Sequence, residues 1–235
     1  MTKYKRVLIK LSGEALAGDQ GFGFDEKNVR RVGEQIKIPL QQGIQMSIVI
    51  GGGNFWRGRS SDTMDRTKAD QIGMLATVMN ALYVAEIFRS QGIPTIVQTP
   101  FPIGNMTEVF SKEKALEYMK KGYVVFFAGG TGHPFFSTDT GAALRGCEIE
   151  VDVLLFAKNI DGVYDDDPKN NPNAKKYEQI SCQQILQQNL KVIDATAASL
   201  CIEQKIPILV FGLNIPGSLQ KAISGENIGT LITVK

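Results

Sequence analysis

Three features of the sequence predict an α/β fold, a three-layer αβα sandwich with a largely parallel central sheet. Strand-like segments alternate with helical ones from end to end, the pattern of parallel strands joined by crossover helices. Two strand segments, Tyr123 to Ala128 and Val151 to Ala157, are nearly continuous apolar runs, as expected of strands covered on both faces. No fixed-period repeat, low-complexity tract or composition break divides the 235 residues, so a single domain over 1–235 is expected.

The first strand, Lys5 to Leu11, carries Lys10 almost to its end and turns at Ser12-Gly13. Gly18 to Gly23 (GDQGFG) is a glycine-rich surface loop. Its spacing is not GxGxxG and no strand immediately precedes it, so it is a poor dinucleotide fingerprint. Asp25 caps the next helix, where Val29, Val32, Ile36 and Leu40 recur at steps of three and four until Gly43. Met46 to Ile50 is a buried strand that runs into Gly51-Gly52-Gly53, with Arg57 close behind. Arg59 to Lys68 is polar and turn-prone and reads as a mobile loop. Ala69 to Arg89 is apolar around most of its circumference (Ile72, Leu75, Met79, Leu82, Ile87), which predicts a helix buried between layers. Asp70 stands at its start, where a carboxylate caps a helix more often than it meets a ligand hydroxyl.

Gly92 closes that helix, Ile93 to Gln98 is the next strand, and Ser111 opens a charged helix through Lys121. Tyr123 to Ala128 ends in Gly129-Gly130-Thr131-Gly132, and Asp139 begins a short helix through Cys147. Val151 to Ala157 runs into an acidic loop, Lys158 to Pro168, whose spacing does not fit a calcium-binding EF-hand. A helix near Ser181 to Gln188, another from Asp194, a strand over Pro207 to Phe211, a helical turn over Gly217 to Ile223 and a closing strand over Ile228 to Val234 complete the chain.

Composition narrows the function. A net charge of +2, with Lys and Arg scattered among acids, gives no footprint for nucleic acid or an anionic membrane. The N-terminal apolar run is too short for a signal peptide, and no eighteen consecutive residues are apolar, so no membrane span is expected. Cys147, Cys182 and Cys201 are widely spaced and odd in number, which argues against disulfides or zinc and fits a reducing cytoplasm.

Four loops follow strands: Lys10 to Gly13, Gly51 to Gly53, Gly129 to Gly132 and Asn159 to Asp167. In an open parallel sheet, strand carboxyl ends lie along one edge, so these loops can converge on one crevice. Bare glycine backbone admits a ligand to the peptide N–H groups, which form anion-binding concavities, and Lys10 and Arg57 add positive charge. A triple glycine alone is equally well explained by a tight turn; the repetition points to a polyphosphate. With His133 as the only histidine and no G-x-S-x-G, a hydrolytic triad is a poor fit, and two-histidine metal sites are excluded. Phosphoryl transfer asks mainly for positioning and charge neutralisation, although neither a P-loop nor the protein-kinase motifs are present.

The segments KLSGEAL (10–16), GDQGFG (18–23), VIGGGNFWRG (49–58), ADQIGMLATVMNAL (69–82), GGTGHPFFSTDT (129–140), DGVYDDDP (161–168) and LNIPGSLQKAISGENIGTLI (213–232) strongly resemble the bacterial uridylate kinases, of the amino acid kinase superfamily. The resemblance runs from end to end. It implies transfer of the γ-phosphate of Mg·ATP to UMP, with Mg²⁺ held without direct protein ligands, in pyrimidine nucleotide synthesis in the cytoplasm. Position by position, it implies that Lys10, Leu11, Ser12 and Gly13 hold ATP phosphates, that Gly53 and Arg57 face ATP, and that Asn159, Tyr164 and Asp167 line the adenosine end. Gly52, Asp70 and the run Thr131, Gly132, His133, Pro134, Phe135, Phe136, Ser137 and Thr138 would contact UMP. Lys10, Arg57, Asp139 and Asp194 would be catalytic, the two carboxylates orienting Lys10 or hydrated Mg²⁺. Gly18, Asp19, Gln20, Gly21, Phe22 and Gly23 resemble the segment for allosteric activation by GTP. Inhibition by UTP and a homohexameric assembly are also implied.

Two positions depart from the family pattern. His133 stands where asparagine is common, so UMP affinity is expected to depend on pH near an ordinary histidine pKa of roughly 6.5. Lys158 stands where some members carry threonine or asparagine. Two other readings stay open on sequence alone: a sibling kinase acting on an amino-acid carboxylate or carbamate, and a nucleotide sensor without turnover.

Overall fold

The computed structural model describes residues 3–56, 64–168, 170–226 and 228–234. The elements in chain order are β1 (Arg6–Leu11), α1 (Gly13–Ala17), α2 (Glu26–Gln41), β2 (Gln45–Ile50), α3 (Arg66–Ser90), β3 (Thr95–Thr99), β4 (Glu108–Val109), α4 (Lys112–Lys120), β5 (Val124–Phe127), α5 (Thr138–Glu148) and β6 (Val153–Lys158). They continue with β7 (Val163–Tyr164), β8 (Lys176–Tyr177), β9 (Gln179–Ser181), α6 (Cys182–Gln187), α7 (Ala195–Gln204), β10 (Ile208–Gly212), α8 (Ser218–Ser224) and β11 (Thr230–Thr233).

Nine strands form one sheet in the order β4-β3-β5-β2-β1-β6-β10-β11-β9, and β7 pairs with β8 in a separate hairpin. Every pairing in the large sheet is parallel except β10 with β11. The fold is therefore the mostly parallel α/β sandwich expected from the alternation of elements. Strand periodicity builds two cores. Val7, Ile9 and Leu11 pack with Val29 and Ile36 of α2, Phe88 of α3 and Leu219 of α8. Leu8 points the other way, to Met119 of α4, Ala142 of α5, Ile185 of α6 and Cys201 of α7.

Helix starts follow cap chemistry: Asp25, Ser111, Ser137, Ser181 and Asp194 each accept backbone N–H bonds at an N-terminus. Differences from expectation lie where pairing or tertiary contacts decide. α3 begins at Arg66, capped by Asp65, three residues before the expected start, so Asp70 lies past the first turn and does not cap it. The expected loop over 59–68 thus gives way to helix at its end, while 57–63 lie outside the described residues. One side of α3 is not covered, since Leu75 and Met79 are about half exposed, contrary to burial between layers. By length and composition α3 could cross a membrane, but its inner face, Val84, Ala85 and Phe88, belongs to the core. The short strands β4, β7, β8 and β9 were not expected. Two or three residues carry too little periodicity, and only their partners make them strands.

Candidate active site

β1 lies at the centre of the sheet, with β2 on one side and β6 on the other. That is a topological switch point, where open α/β sheets form a crevice beyond their carboxyl ends. Lys10 is two residues after Leu8 and so emerges on the face covered by α5. Lys158 is two residues after Phe156 on the neighbouring strand and emerges on the same face. Both ammonium groups stand over the Phe156 ring, 5.9 and 5.7 Å from its centroid.

α5 brings a carboxylate to meet them. The Ser137 hydroxyl accepts from the N–H groups of Asp139 and Thr140 at 3.1 and 3.3 Å, which sets Asp139 in the first helical turn. Lys10 Nζ is 2.9 Å from Asp139 Oδ1, with the two side chains only 9% and 14% exposed. Lys158 Nζ lies 3.7 Å from Asp139 Oδ2. Burial pushes the Asp139 carboxyl up, but the ammonium groups of Lys10 and Lys158 outweigh it and hold the pKa below the usual range. Burial and the repulsion of Lys10 lower the Lys158 pKa against the pull of Asp139 and Glu14. Beyond its contact with Lys10, the buried Asp139 Oδ1 has no further hydrogen-bond partner among the described residues, so it retains capacity for another donor.

Glycine backbone forms the floor. Gly51 N donates to Leu11 O at 3.0 Å, locking the β2 loop to the end of β1. A Cβ on Gly13 would stand 2.6 Å from Gly51 O and 2.8 Å from Gly53 N, so only glycine lets the two loops meet. Asn80, fully buried on α3, donates to Gly51 O at 2.6 Å and to Asn54 Oδ1 at 2.7 Å. Asn54 returns a bond to Asn80 Oδ1 and another to Gly23 O. The amide pair therefore ties the triple glycine to the 18–23 loop, where Phe22 packs edge-on against Phe55. On the far side, Gly129 and Gly130 both take positive φ, 78° and 59°, and Gly129 N donates to Thr77 Oγ1.

Two cavities flank the lysine–carboxylate centre, and only the first includes residues of the glycine floor. One, of about 190 Å³, is lined by Gly52, Gly53, Asp70, Thr131, His133, Phe136, Ser137 and Thr138, together with Trp56, Arg66, Gly73, Met74, Thr77 and Gly130. Phe135 sits at its rim in a left-handed conformation (φ 72°) and donates its N–H to Asp70 Oδ2 at 2.8 Å. Gly132 and Pro134 do not line it. The other cavity, of about 510 Å³, is lined by Lys158, by Ile160 and Gly162 to Pro168 (with Tyr164 and Asp167), and by Asn189 to Val192. Asn159 is not in that lining.

The remaining expected site residues have clear places. Leu11 is a core side chain and offers only backbone, and Ser12 caps α1. Gly53 lies in the smaller cavity rather than the larger. Asp194 accepts from the hydroxyls of Ser137 and Thr140 and from Ala197 N, so it braces the start of α5. Gly18, Gln20, Gly21 and Gly23 form a turn whose backbone is positioned by Asn54; the Asp19 side chain and the whole of Arg57 lie outside the described residues. Sequence reading gave no site role to Arg66, Trp56, Thr77 or Asn80, and placed Lys158 only as a departure. Only the lysine carried a signal, the same position at a strand's carboxyl end that drew attention to Lys10.

A buried lysine–carboxylate centre between two cavities, floored by glycine backbone at the sheet's switch point, is a site for bringing two anionic ligands together. The chain belongs to the amino acid kinase family, whose model matches residues 5–212. Over nearly its whole length it is similar to solved structures of UMP kinases. That of Bacillus anthracis has a TM-score of 0.94 and 38% identity, covering 99% of this chain and 97% of the other. That of Ureaplasma parvum has a TM-score of 0.91 and 37% identity, covering 98% and 99%. The uridylate kinase of Archaeoglobus fulgidus is more distant, at 0.74 and 30%, covering 99% and 100%.

Proposed function

We propose that this chain is a UMP kinase, transferring the terminal phosphoryl group of ATP to UMP to give ADP and UDP. The observation that carries the reading is the buried Lys10–Asp139 pair, which adjoins the smaller cavity through Ser137 and Thr138 and the larger one through Lys158. UMP takes the smaller cavity. There Asp70 faces the ribose hydroxyls as acceptor, and Thr131, His133 and Phe136 to Thr138 wrap base and phosphate. ATP has its adenosine near Tyr164 and Asp167 in the larger cavity and its phosphates on Ser12 and Gly13, with the terminal one reaching Gly53 at the smaller cavity, where UMP lies. The family resemblance assigns Arg57 to the same phosphates.

In the transfer the bond from the terminal phosphorus to the bridging oxygen breaks and its electron pair stays on ADP. A phosphate oxygen of UMP bonds to that phosphorus. The acceptor is already ionised, so the residues need not supply a base, which suits a centre of lysines and glycine N–H groups. Lys10 neutralises charge on the group in flight, and Asp139 fixes the ammonium in place. Asp194 acts through Ser137 and Thr140, as a positioning residue for Asp139.

Mg²⁺ fits this donor set as a phosphate-bound, hydrated ion. No group of three acidic, histidine or cysteine side chains is present among the described residues, while buried Asp139 Oδ1 can accept from a metal-bound water. When bound, Mg²⁺ supplies charge neutralisation on the ATP phosphates. GTP activation through Gly18 to Gly23, UTP inhibition, a homohexamer, a single domain over 1–235 and a cytoplasmic location are parts of the same reading. The contact of Asn54 with both glycine loops supports the regulatory one.

The test is a coupled assay of ADP formation with Mg·ATP, offering UMP, CMP, dUMP and acetylglutamate separately, with and without GTP. Turnover confined to UMP and raised by GTP is expected. Turnover on the amino acid, or UMP binding without turnover, would overturn the assignment.

A further inference from the structure

The centre described above contains a second cation. Two lysines on adjacent strands share one carboxylate: Lys10 at 2.9 Å and Lys158 at 3.7 Å from opposite oxygens of Asp139. Lys158 faces Asp139 on α5 and Lys10 on β1, with Glu14 of α1 acting from further off. A structural ion pair would match one lysine to one carboxylate. Here the second ammonium is largely buried, its side chain 21% exposed, at a cost that burial alone makes unfavourable. The longer distance also leaves Lys158 less committed to Asp139 than Lys10 is. Lys158 lines the 510 Å³ cavity along with Tyr164 and Asp167, and its ammonium also reaches the Lys10–Asp139 pair. It is therefore the described side chain that joins the proposed adenosine cavity to the transfer centre.

We infer that Lys158 is a second phosphate-binding cation of the transfer centre, held opposite Lys10 by Asp139, and that it contacts the terminal phosphates of the nucleotide in the larger cavity. The inference rests on the phosphotransfer reading of the preceding section. As the bond to the terminal phosphorus breaks, negative charge builds on the bridging oxygen retained by ADP. A cation approaching from the adenosine side meets that oxygen, while Lys10 meets the transferring group. Asp139 keeps the two like charges apart and fixed before the nucleotide arrives, so little reorganisation is needed during transfer.

The experiment compares Lys158→Met, Lys158→Gln and Lys158→Arg with the parent in steady-state UMP phosphorylation. Calorimetric affinities are measured alongside for ADP and for the β,γ-imido analogue of ATP. Loss of one positioned charge predicts a fall in kcat of about 100-fold or more for Lys158→Met, partly restored by Lys158→Arg. Affinity for the imido analogue should fall more than affinity for ADP. Lys158→Gln gives the same comparison if the methionine variant folds poorly, and thermal melting shows which variants are folded. A kcat within about threefold of the parent in a folded Met or Gln variant would overturn the inference. So would equal loss of both affinities with kcat unchanged, the mark of a merely structural role. A parent chain that does not phosphorylate UMP fails the functional reading itself. An active parent with unimpaired Lys158 variants fails only the assignment of Lys158.

Discussion

Asn80 offers the sharpest test of how the fold holds the glycine floor. Replacing it with leucine keeps the branched heavy-atom shape and removes the amide. Three hydrogen bonds disappear: Asn80 to Gly51 O at 2.6 Å, Asn80 to Asn54 Oδ1 at 2.7 Å, and the return bond from Asn54 at 3.0 Å. Asn54 Nδ2 keeps Gly23 O at 2.8 Å, so the donor is not stranded. Two acceptors, Gly51 O and Asn54 Oδ1, lose this buried donor. Each such loss costs about 1–3 kcal/mol, so the variant should be destabilised by about 3 kcal/mol. For a chain of this size that corresponds to a fall in Tm of roughly 6–12 °C. Urea unfolding followed by circular dichroism gives the free energy, and differential scanning calorimetry gives the Tm. The KM for UMP should rise, because the Gly51 to Gly53 loop has lost its anchor. A drop in Tm under about 2 °C with unchanged KM would refute the reasoning, since it would mean that the loops hold their shape without the amide pair.

Three further outcomes are expected. Asp139→Asn leaves two largely buried ammonium groups without their carboxylate, so stability should fall by about 3 kcal/mol and kcat by at least about 100-fold. The folded pKa of Asp139 is depressed, so its contribution is fully present above the unfolded carboxylate value of about 3.9 and lost as pH falls through the lower folded value. The stability gap between parent and variant should thus be flat from about pH 5 to 8 and close in acid, as read by urea titrations at each pH. His133 lines the smaller cavity, so His133→Ala should raise the KM for UMP at fixed pH with kcat little changed; an unchanged KM would reject a role for the imidazole. Burial pushes the Cys182 thiol up to about 11, raises Cys201 further and also raises Cys147. Ellman's reagent at about pH 8 should accordingly leave buried Cys182 and Cys201 unlabelled in the native chain and titrate all three cysteines after denaturation; fast native labelling of more than one thiol would contradict the burial.

Much of this protein is legible in its sequence because the signals are local. Apolar runs mark the central strands, Asp25, Ser111 and Asp194 mark helix starts, and the glycine clusters mark the strand ends that floor the crevice. Even the direction of Lys10 follows from alternation, since Leu8 must face a core. Strands of two residues such as β4 and β7 are not legible, because they exist only through their partners. Asn80 reads as one more polar residue in an apolar helix. What gives it a role is the arrival of Gly51 and Asn54 from a different part of the chain. Lys158 reads as the first residue of an acidic loop until β6 is seen to lie against β1, where the two lysines share Asp139. Period and cap chemistry are written in neighbouring residues, so the sequence by itself determined the fold class and the edge that carries the site. Which charges share a carboxylate, and which buried amide pins which loop, depends on strand order and packing between residues far apart in the chain, such as Gly51 with Asn80 and Lys10 with Lys158. Only the tertiary structure decided those.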